Sequence, residues 1–126
     1  MSDILLEIPG NAIPPLARAG YMKARDGRSI RHACFAATGR PVRGTIVLLS
    51  GRNETIEKYF ETIQDLQRAG FGVATLDWRG QGRSDRLLRD PQRGYVRNFD
   101  DYAGDVDQFF EEVVLPDCRG PYHILA

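Results

Sequence analysis

Three short apolar runs divide the chain. The run TIVLLS at 45–50 is largely apolar and shows no polar alternation, which is typical of a strand buried on both faces of a sheet. FGVATLD at 71–77 has the same character, and YHILA at 122–126 has the pattern of the beginning of a third buried strand. The pattern therefore predicts the central strands of a sheet that is covered on both sides.

Two segments between these runs carry apolar residues at the spacing of an amphipathic helix. The stripe of the first segment consists of Ile56, Tyr59, Phe60, Ile63 and Leu66. Asn53 or Thr55 can cap the start of this helix, and Gly70 can end it. The second helix is predicted over residues 99–115, with Pro116 ending it.

An antiparallel hairpin is predicted ahead of the first buried run. Asp26-Gly27 can supply the positive φ angles of a type I′ turn, which places strands near 19–25 and 28–37. Residues 45–77 are then predicted to form a strand, a helix and a strand. Such a βαβ unit is right-handed by default. This order of elements predicts an α/β fold whose mostly parallel sheet follows the hairpin.

Length and composition fit one soluble globular domain. The chain has 126 residues, of which 42% are hydrophobic and 27% charged. We assign residues 1–18, which are rich in proline and glycine, to an irregular lead-in and residues 19–126 to the domain. Lys+Arg and Asp+Glu both number 17, so the net charge gives no indication of nucleic-acid binding. No apolar run is long enough to span a bilayer, and the acidic N-terminus is unlike a signal peptide.

The cysteines and histidines show no metal-ligand spacing, so we predict neither a metal nor a cofactor. Cys34 and Cys118 can form one disulfide, but two buried free thiols fit better. Free thiols favour a reducing, cytoplasmic location. His32 and His123 both fall in predicted strands and are interpreted as packed or partly exposed strand residues.

The glycine-punctuated stretch LDWRGQGRSD at 76–85 follows a buried strand. A dinucleotide-binding loop requires G-x-G-x-x-G at the start of a helix, but the third glycine position here is Asp85 and no helix start follows. A tight loop held by Asp77, Arg79 and Ser84 is the better interpretation.

The block D-x-R-G-x-G-x-S after a strand resembles the α/β-hydrolase fold, within it the lysophospholipase and monoacylglycerol lipase-like branch (serine aminopeptidase S33). The longer stretch IVLLSGRNETIEKYFETIQDLQRAGFGVATLDWRGQGRSD has the order of that family throughout, and the resemblance covers residues 19–126. It implies that the turn containing Asp77, Arg79, Ser84 and Asp85 is structural. Ser84 also lacks the G-x-S-x-G setting of a nucleophile.

The resemblance also implies a role for the segment SGRN at 50–53, between the first buried strand and the first helix. In this family the corresponding loop supplies one backbone N–H to the oxyanion hole. Arg52 would donate that N–H and Gly51 would keep the loop open, both next to the substrate. The family usually has His-Gly where this chain has Ser50-Gly51, but a backbone donor does not depend on the side chain. The alternative is an ordinary turn between a strand and a helix.

Charge is segregated around residue 98. Residues 78–98 contain six arginines, and the following helix contains six acidic residues without a lysine or arginine. The arginines are Arg79, Arg83, Arg86, Arg89, Arg93 and Arg97, and the acids are Asp100, Asp101, Asp105, Asp107, Glu111 and Glu112. Mutual compensation at the surface explains this best, and a rim that binds the phosphate of a lipid is the alternative.

The function that the resemblance implies is serine hydrolysis of a carboxylic ester, with a lysophospholipid or monoacylglycerol as substrate. No residue of this chain matches the nucleophile, the acid or the histidine of the triad. The strand YHILA corresponds to the one that leads into the nucleophile, which is expected within a few residues after Ala126. The 126-residue chain alone is therefore predicted to be an inactive N-terminal half of the domain, and unstable.

Two other functions remain open from the sequence. The chain can be a non-catalytic binding or assembly module that completes its sheet with a partner. It can also belong to relatives that use aspartate as nucleophile, such as epoxide hydrolases and dehalogenases. The residues after Ala126 would separate these alternatives.

Overall fold

The computed structural model describes residues 4–50, 54–77 and 99–126, with the backbone alone for residues 99–102. The strands in these ranges are β1 (Ala17–Lys23), β2 (Ser29–Phe35), β3 (Gly44–Leu49), β4 (Phe71–Leu76) and β5 (Tyr122–Leu125). A 3₁₀ turn, Ile56–Tyr59, leads into helix α1 (Phe60–Arg68). Helix α2 (Phe99–Phe109) continues through a π-helical turn, Phe110–Val114, into the short α3 (Leu115–Asp117).

The strands form one mixed sheet in the order β1-β2-β4-β3-β5. β2 pairs antiparallel with both β1 and β4, whereas β3 lies parallel to β4 and β5. The segment from β3 through α1 to β4 is the βαβ unit that the sequence predicts, since its two strands are adjacent and parallel. The α/β class, with a hairpin followed by parallel strands, is confirmed.

Each face of the sheet has its own hydrophobic cluster, because successive side chains of a strand point to opposite faces. The cluster on the side of α1 consists of Leu5, Ala33, Phe35, Leu48, Ile56, Phe60, Ile63 and Val73. The cluster on the side of α2 consists of Met22, Ala24, Ile30, Cys34, Val47, Ala74, Leu76, Phe109 and Val114. Leu5 comes from the segment before β1, so that segment packs against the domain.

The hairpin between β1 and β2 is present, but the predicted type I′ turn is wrong. Gly27 has a φ of +89°, whereas Asp26 has no positive φ. The N–H of Gly27 donates to the carbonyl of Ala24 at 2.8 Å, and the N–H of Ala24 donates to the carbonyl of Arg28 at 2.8 Å. This is a tight turn followed by a left-handed glycine, the arrangement of longer hairpin loops.

The second helix departs from its prediction at two places. It runs to Asp117 and contains Pro116, which was expected to end it. The π-helical turn directly before α3 loosens the hydrogen-bond ladder, and so accommodates a ring that clashes with an ordinary α-helix. Asp105, which was expected on the surface, is only 2% exposed.

Strand β5 forms as predicted, but it is not buried. Ile124 is 71% exposed and Leu125 is 42% exposed. Among the described strands β5 pairs with β3 alone, so its other side has no neighbour within these residues.

Gly44 at the start of β3 is expected to tolerate no side chain. Its φ is +124°, and a Cβ there would lie 2.2 Å from the carbonyl oxygen of Pro121 beside β5. Gly44→Ala should therefore lower the free energy of unfolding by about 2–3 kcal/mol.

Gly104 in α2 is the matched control for Gly44→Ala, because among the residues that the structure describes a Cβ there would meet nothing within 4 Å. Gly104→Ala should raise stability by about 0.5–1 kcal/mol, as expected within a helix. Urea unfolding of the whole protein carrying each substitution measures the difference in the free energy of unfolding. Equal effects of the two substitutions would contradict the tight approach of β3 and the Pro121 backbone.

Candidate active-site edge

Two parallel strands end side by side at one edge of the sheet. Leu49 of β3 is in register with Leu76 of β4, so Ser50 and Asp77 follow at the same edge. Ser50 is 7% exposed and Asp77 is fully buried. The predicted site residues Gly51 and Arg52 come directly after Ser50 and lie outside the described residues, as do Arg79, Ser84 and Asp85 beyond Asp77.

Asp77 joins three parts of the chain at this edge. Its Oδ1 accepts a hydrogen bond from the N–H of Ile56 at 2.9 Å, at the start of the 3₁₀ turn. Its Oδ2 accepts one from Nε of Arg31 at 2.8 Å. The backbone N–H of Asp77 also donates to the carbonyl of Arg31 at 2.9 Å. Asp77 therefore ties the 3₁₀ turn that leads into α1 to strand β2.

Arg31 is fully buried, and all five of its side-chain N–H groups face acceptors. Besides Nε, its Nη2 contacts Oδ2 of Asp77 at 2.7 Å. Glu57 accepts from both Nη1 and Nη2, at 2.7 and 2.6 Å. The carbonyl of Ile4 takes the remaining donor at 2.8 Å. Arg31, Glu57 and Asp77, here called the Arg31 cluster, form a saturated buried ion network.

The charges of the cluster stabilise one another. Burial disfavours the charged form of Arg31, but Glu57 and Asp77 outweigh it, and the pKa of the guanidinium is raised. Burial likewise favours the protonated form of Glu57. Hydrogen bonds from Arg31 and from the N–H of Leu6 outweigh that effect, and the pKa of Glu57 is lowered. Arg31 and Glu57 are thus both held as ions by the contacts of the cluster.

Sequence reasoning identified neither Arg31 nor Glu57 as part of this site. A signal was present, because Arg31 alternates with Ala33 and Phe35 in β2 and so shares their buried face. The predicted cap is also different. Thr55 occupies the N-cap position but makes no side-chain cap hydrogen bond, and Asp77 accepts the N–H of Ile56 instead.

The cluster predicts a specific sensitivity to acid. Because the pKa of Glu57 is lowered in the folded state, Glu57 contributes its full share to the free energy of unfolding above the ordinary glutamate pKa of about 4.3. This contribution is lost as the pH falls through the folded value. Glu57→Gln should cost about 1–3 kcal/mol at neutral pH and should weaken the loss of stability below about pH 4. Urea unfolding across the acid range measures this.

Glu61→Gln is the control for the pH series, since Glu61 is an exposed carboxylate of α1. Its unfolding profile should follow that of the wild type. A Glu57→Gln variant whose stability declines in acid as steeply as the wild type would contradict the ion network.

Neither histidine joins the cluster. His32 neighbours Arg31 but points to the opposite face, where its ring centroid lies 5.9 Å from that of Phe109. Burial lowers the pKa of His32, against the charge of Asp117. His123 is an exposed residue of β5. Both cysteines are free, as predicted, although Cys118 is only half-buried.

The helices in the described parts of the chain include none that is long and apolar enough to cross a membrane. The arginines of residues 78–98 lie outside the described residues, so their predicted pairing with the acidic helix stays a prediction.

Two solved structures of known enzymes share the fold of this chain. Over 86% of the chain, the structure superimposes with a TM-score of 0.67 on a thermostable carboxyl esterase from Bacillus coagulans, at 21% identity and over 35% of that chain. Over 84%, it superimposes with a TM-score of 0.63 on a monoglyceride lipase from Saccharomyces cerevisiae, at 23% identity and over 32% of that chain. Both likenesses concern the fold.

Sequence relatives are closer. The chain is 44% identical over 81 residues to lysophospholipase L2 of Escherichia coli K12, which is 64% of this chain and 24% of the relative. It is 34% identical over 85 residues to a probable lysophospholipase L2 of Haemophilus influenzae, which is 68% of this chain and 26% of the relative. The matches thus span about a quarter of these relatives.

A family model described as serine aminopeptidase, S33, matches residues 40–126, from the approach to β3 through the end of the chain. This range contains both strands of the candidate edge and the residues that cap α1 and end β4. The chain belongs to the serine aminopeptidase S33 family of α/β hydrolases.

Proposed function

We propose that the whole protein is a serine hydrolase of carboxylic esters whose substrate is a lysophospholipid or a monoacylglycerol. The 44% identity to lysophospholipase L2 of E. coli is the observation that carries this proposal. The fold shared with a carboxyl esterase and a monoglyceride lipase supports the reaction class. The whole protein's substrate is inferred from these relatives.

In the proposed mechanism a serine attacks the ester carbonyl, a histidine removes its proton, and an acid orients the histidine. The developing oxyanion needs two preorganised N–H donors. We assign one of them to the backbone of Arg52, in the loop after β3, with Gly51 beside it. The other belongs to the residue after the nucleophile.

The described residues around this loop support the assignment. Ser50 before the loop is buried, and Ile56 after it is held by Asp77, which Arg31 fixes in turn. A segment that follows a buried residue and precedes one held by a buried network suits a backbone donor, because oxyanion stabilisation depends on donors that do not reorganise. The Arg31 cluster is therefore a positioning device in the proposal.

The nucleophile is proposed to follow β5. β5 lies parallel to β3 and adjacent to it, so both strands end at the edge where the loop begins. A continuation of the form Gly/Ala-x-Ser-x-Gly after Ala126 supports the serine mechanism. An aspartate in place of the serine would assign the protein to the aspartate-nucleophile relatives instead.

The test is an esterase assay on the whole protein with a lysophospholipid and a monoacylglycerol, before and after labelling with a fluorophosphonate. We expect turnover of at least one substrate and its loss in proportion to the labelling of one serine. Activity that survives complete labelling would contradict the serine mechanism. A protein without turnover that copurifies in a defined complex would favour a binding module.

Residues 1–126 expressed alone are expected to show no esterase activity above the buffer blank, because no residue among them is assigned to the triad. The same assay measures this. Turnover that a fluorophosphonate abolishes in this polypeptide would place the nucleophile within it. A cytoplasmic location is part of the proposal, since both cysteines are free.

A further inference from the structure

Cys34 and Cys118 lie together on the face of the sheet that packs against α2. They are far apart in the chain, in β2 and in the turn between α3 and β5, yet they line one cavity of about 340 Å³. Cys34 belongs to the buried cluster of this face, and Cys118 packs against that cluster. The two side chains therefore face the same cavity.

Backbone hydrogen bonds fix the position of Cys118. Its N–H donates to the carbonyl of Val114 at 2.8 Å, and its carbonyl accepts the hydroxyl of Tyr122 at 2.9 Å. Arg18, which is opposite Cys34 in the β1–β2 register, reaches the carbonyl of Asp117 at 3.4 Å. Cys118 is thus fastened to the π-helical turn and to β5, and the neighbouring Asp117 is fastened to β1.

The two thiols have different environments. Hydrogen bonding to Cys118, together with burial, raises the pKa of Cys34. Hydrogen bonding from Cys34 and the charge of Arg18 lower the pKa of Cys118, against burial and Asp117. Cys118 is also half-buried, whereas Cys34 is buried. Reactivity of a thiol follows its exposure as well as its thiolate character, so an oxidant reaches the more exposed Cys118 first.

We propose that Cys34 and Cys118 form a redox-active pair that hydrogen peroxide oxidises to an intramolecular disulfide. The thiolate of Cys118 attacks one oxygen of the peroxide, the O–O bond breaks, and hydroxide leaves and takes a proton to become water. The thiol of Cys34 then attacks the sulfenic acid sulfur of Cys118, forming the S–S bond and releasing a second water. The two sulfurs together lose two electrons, which the peroxide accepts.

The cavity suits this chemistry. Arg18, Arg40 and Arg119 line it together with Asp117, so the positive side chains outnumber the negative one around the thiols. Positive neighbours favour the thiolate. The disulfide would fasten β2 to the turn before β5, on the opposite face of the sheet from the Arg31 cluster. The proposal is independent of the ester hydrolysis proposed above.

The test uses the whole protein, treated with a slight excess of hydrogen peroxide, alkylated under denaturing conditions and digested with trypsin. The informative peptides are residues 32–43, which contain Cys34, and 98–119, which contain Cys118. We expect them as one disulfide-linked species that dithiothreitol separates. Two alkylated peptides, or peptides linked only between different molecules, would overturn the proposal.

Two variants test the order of events. Cys34→Ser should leave Cys118 to accumulate as a sulfenic acid that dimedone traps. In Cys118→Ser, Cys34 should react with peroxide about tenfold or more slower than Cys118 does in Cys34→Ser. Equal peroxide reactivity of the two single variants would overturn the assigned roles. Because the cross-link itself is measured on the wild type, a variant that fails to fold leaves the main test intact.

Discussion

Replacing Asp77 with alanine is expected to lower the free energy of unfolding by about 3–5 kcal/mol. The substitution leaves the fully buried guanidinium of Arg31 without one of its two carboxylate partners, and it leaves the N–H of Ile56 at the helix start without an acceptor. Removing one member of a buried ion network costs far more than the network contributes, because the remaining charge keeps its desolvation penalty. Urea unfolding of the whole protein measures the loss.

The matched control is Asp65→Ala in α1. Asp65 also pairs with an arginine, Arg68, but the two side chains are 63% and 65% exposed. Surface pairs contribute about 0–1 kcal/mol, so this variant should remain close to the wild type. An Asp77→Ala variant that unfolds within about 1 kcal/mol of Asp65→Ala would contradict the buried network.

Arg52→Pro is expected to lower kcat of the whole protein by about 10²–10³, which corresponds to one lost oxyanion donor. Proline has no backbone N–H, so the substitution removes the proposed donor itself. Arg52→Ala keeps that N–H and should retain kcat within about tenfold. Steady-state kinetics on a lysophospholipid measure both variants, with fluorophosphonate labelling to count functional serines.

Asn53→Pro is the control for the backbone constraint that proline introduces. It places the same ring one residue later in the loop and leaves the N–H of Arg52 in place. Its kcat should stay well above that of Arg52→Pro. If Arg52→Ala loses as much activity as Arg52→Pro, the side chain and not the backbone carries the function, and the assignment is wrong.

The elements that sequence patterns predict well are those governed by local rules. The runs at β3 and β4 and the stripe of α1 have clear periods, and Gly70, with a φ of +100°, ends α1 as expected. These three elements form the βαβ unit, so the α/β class follows from them. The candidate loop could be located only because it lies between two such elements.

Features that depend on distant contacts were not predictable in this way. Glu57 and Asp77 are separated from Arg31 by 26 and 46 positions. The antiparallel pairing of β2 with β4 brings Asp77 to Arg31, and the hydrogen bond from Ile56 to Asp77 brings the turn that carries Glu57. Periodicity specifies which face of the sheet a residue occupies, but not which distant residue it contacts on that face.

The Arg31 cluster holds residues on either side of the proposed loop in the chain. The cluster fixes Ile56 after the loop and Asp77 at the end of the neighbouring strand, and the loop itself is proposed to present the N–H of Arg52. Stability lost in Asp77→Ala and activity lost in Arg52→Pro therefore report on the support and on the donor separately.

The most direct test of the oxyanion assignment is a crystal structure of the whole protein with a phosphonate covalently bound to its reactive serine. The phosphonyl oxygen then occupies the position of the oxyanion. We predict that it lies about 2.7–3.1 Å from the backbone nitrogen of Arg52. A phosphonyl oxygen that is bound by other donors, with the 51–53 loop away from it, would contradict the assignment.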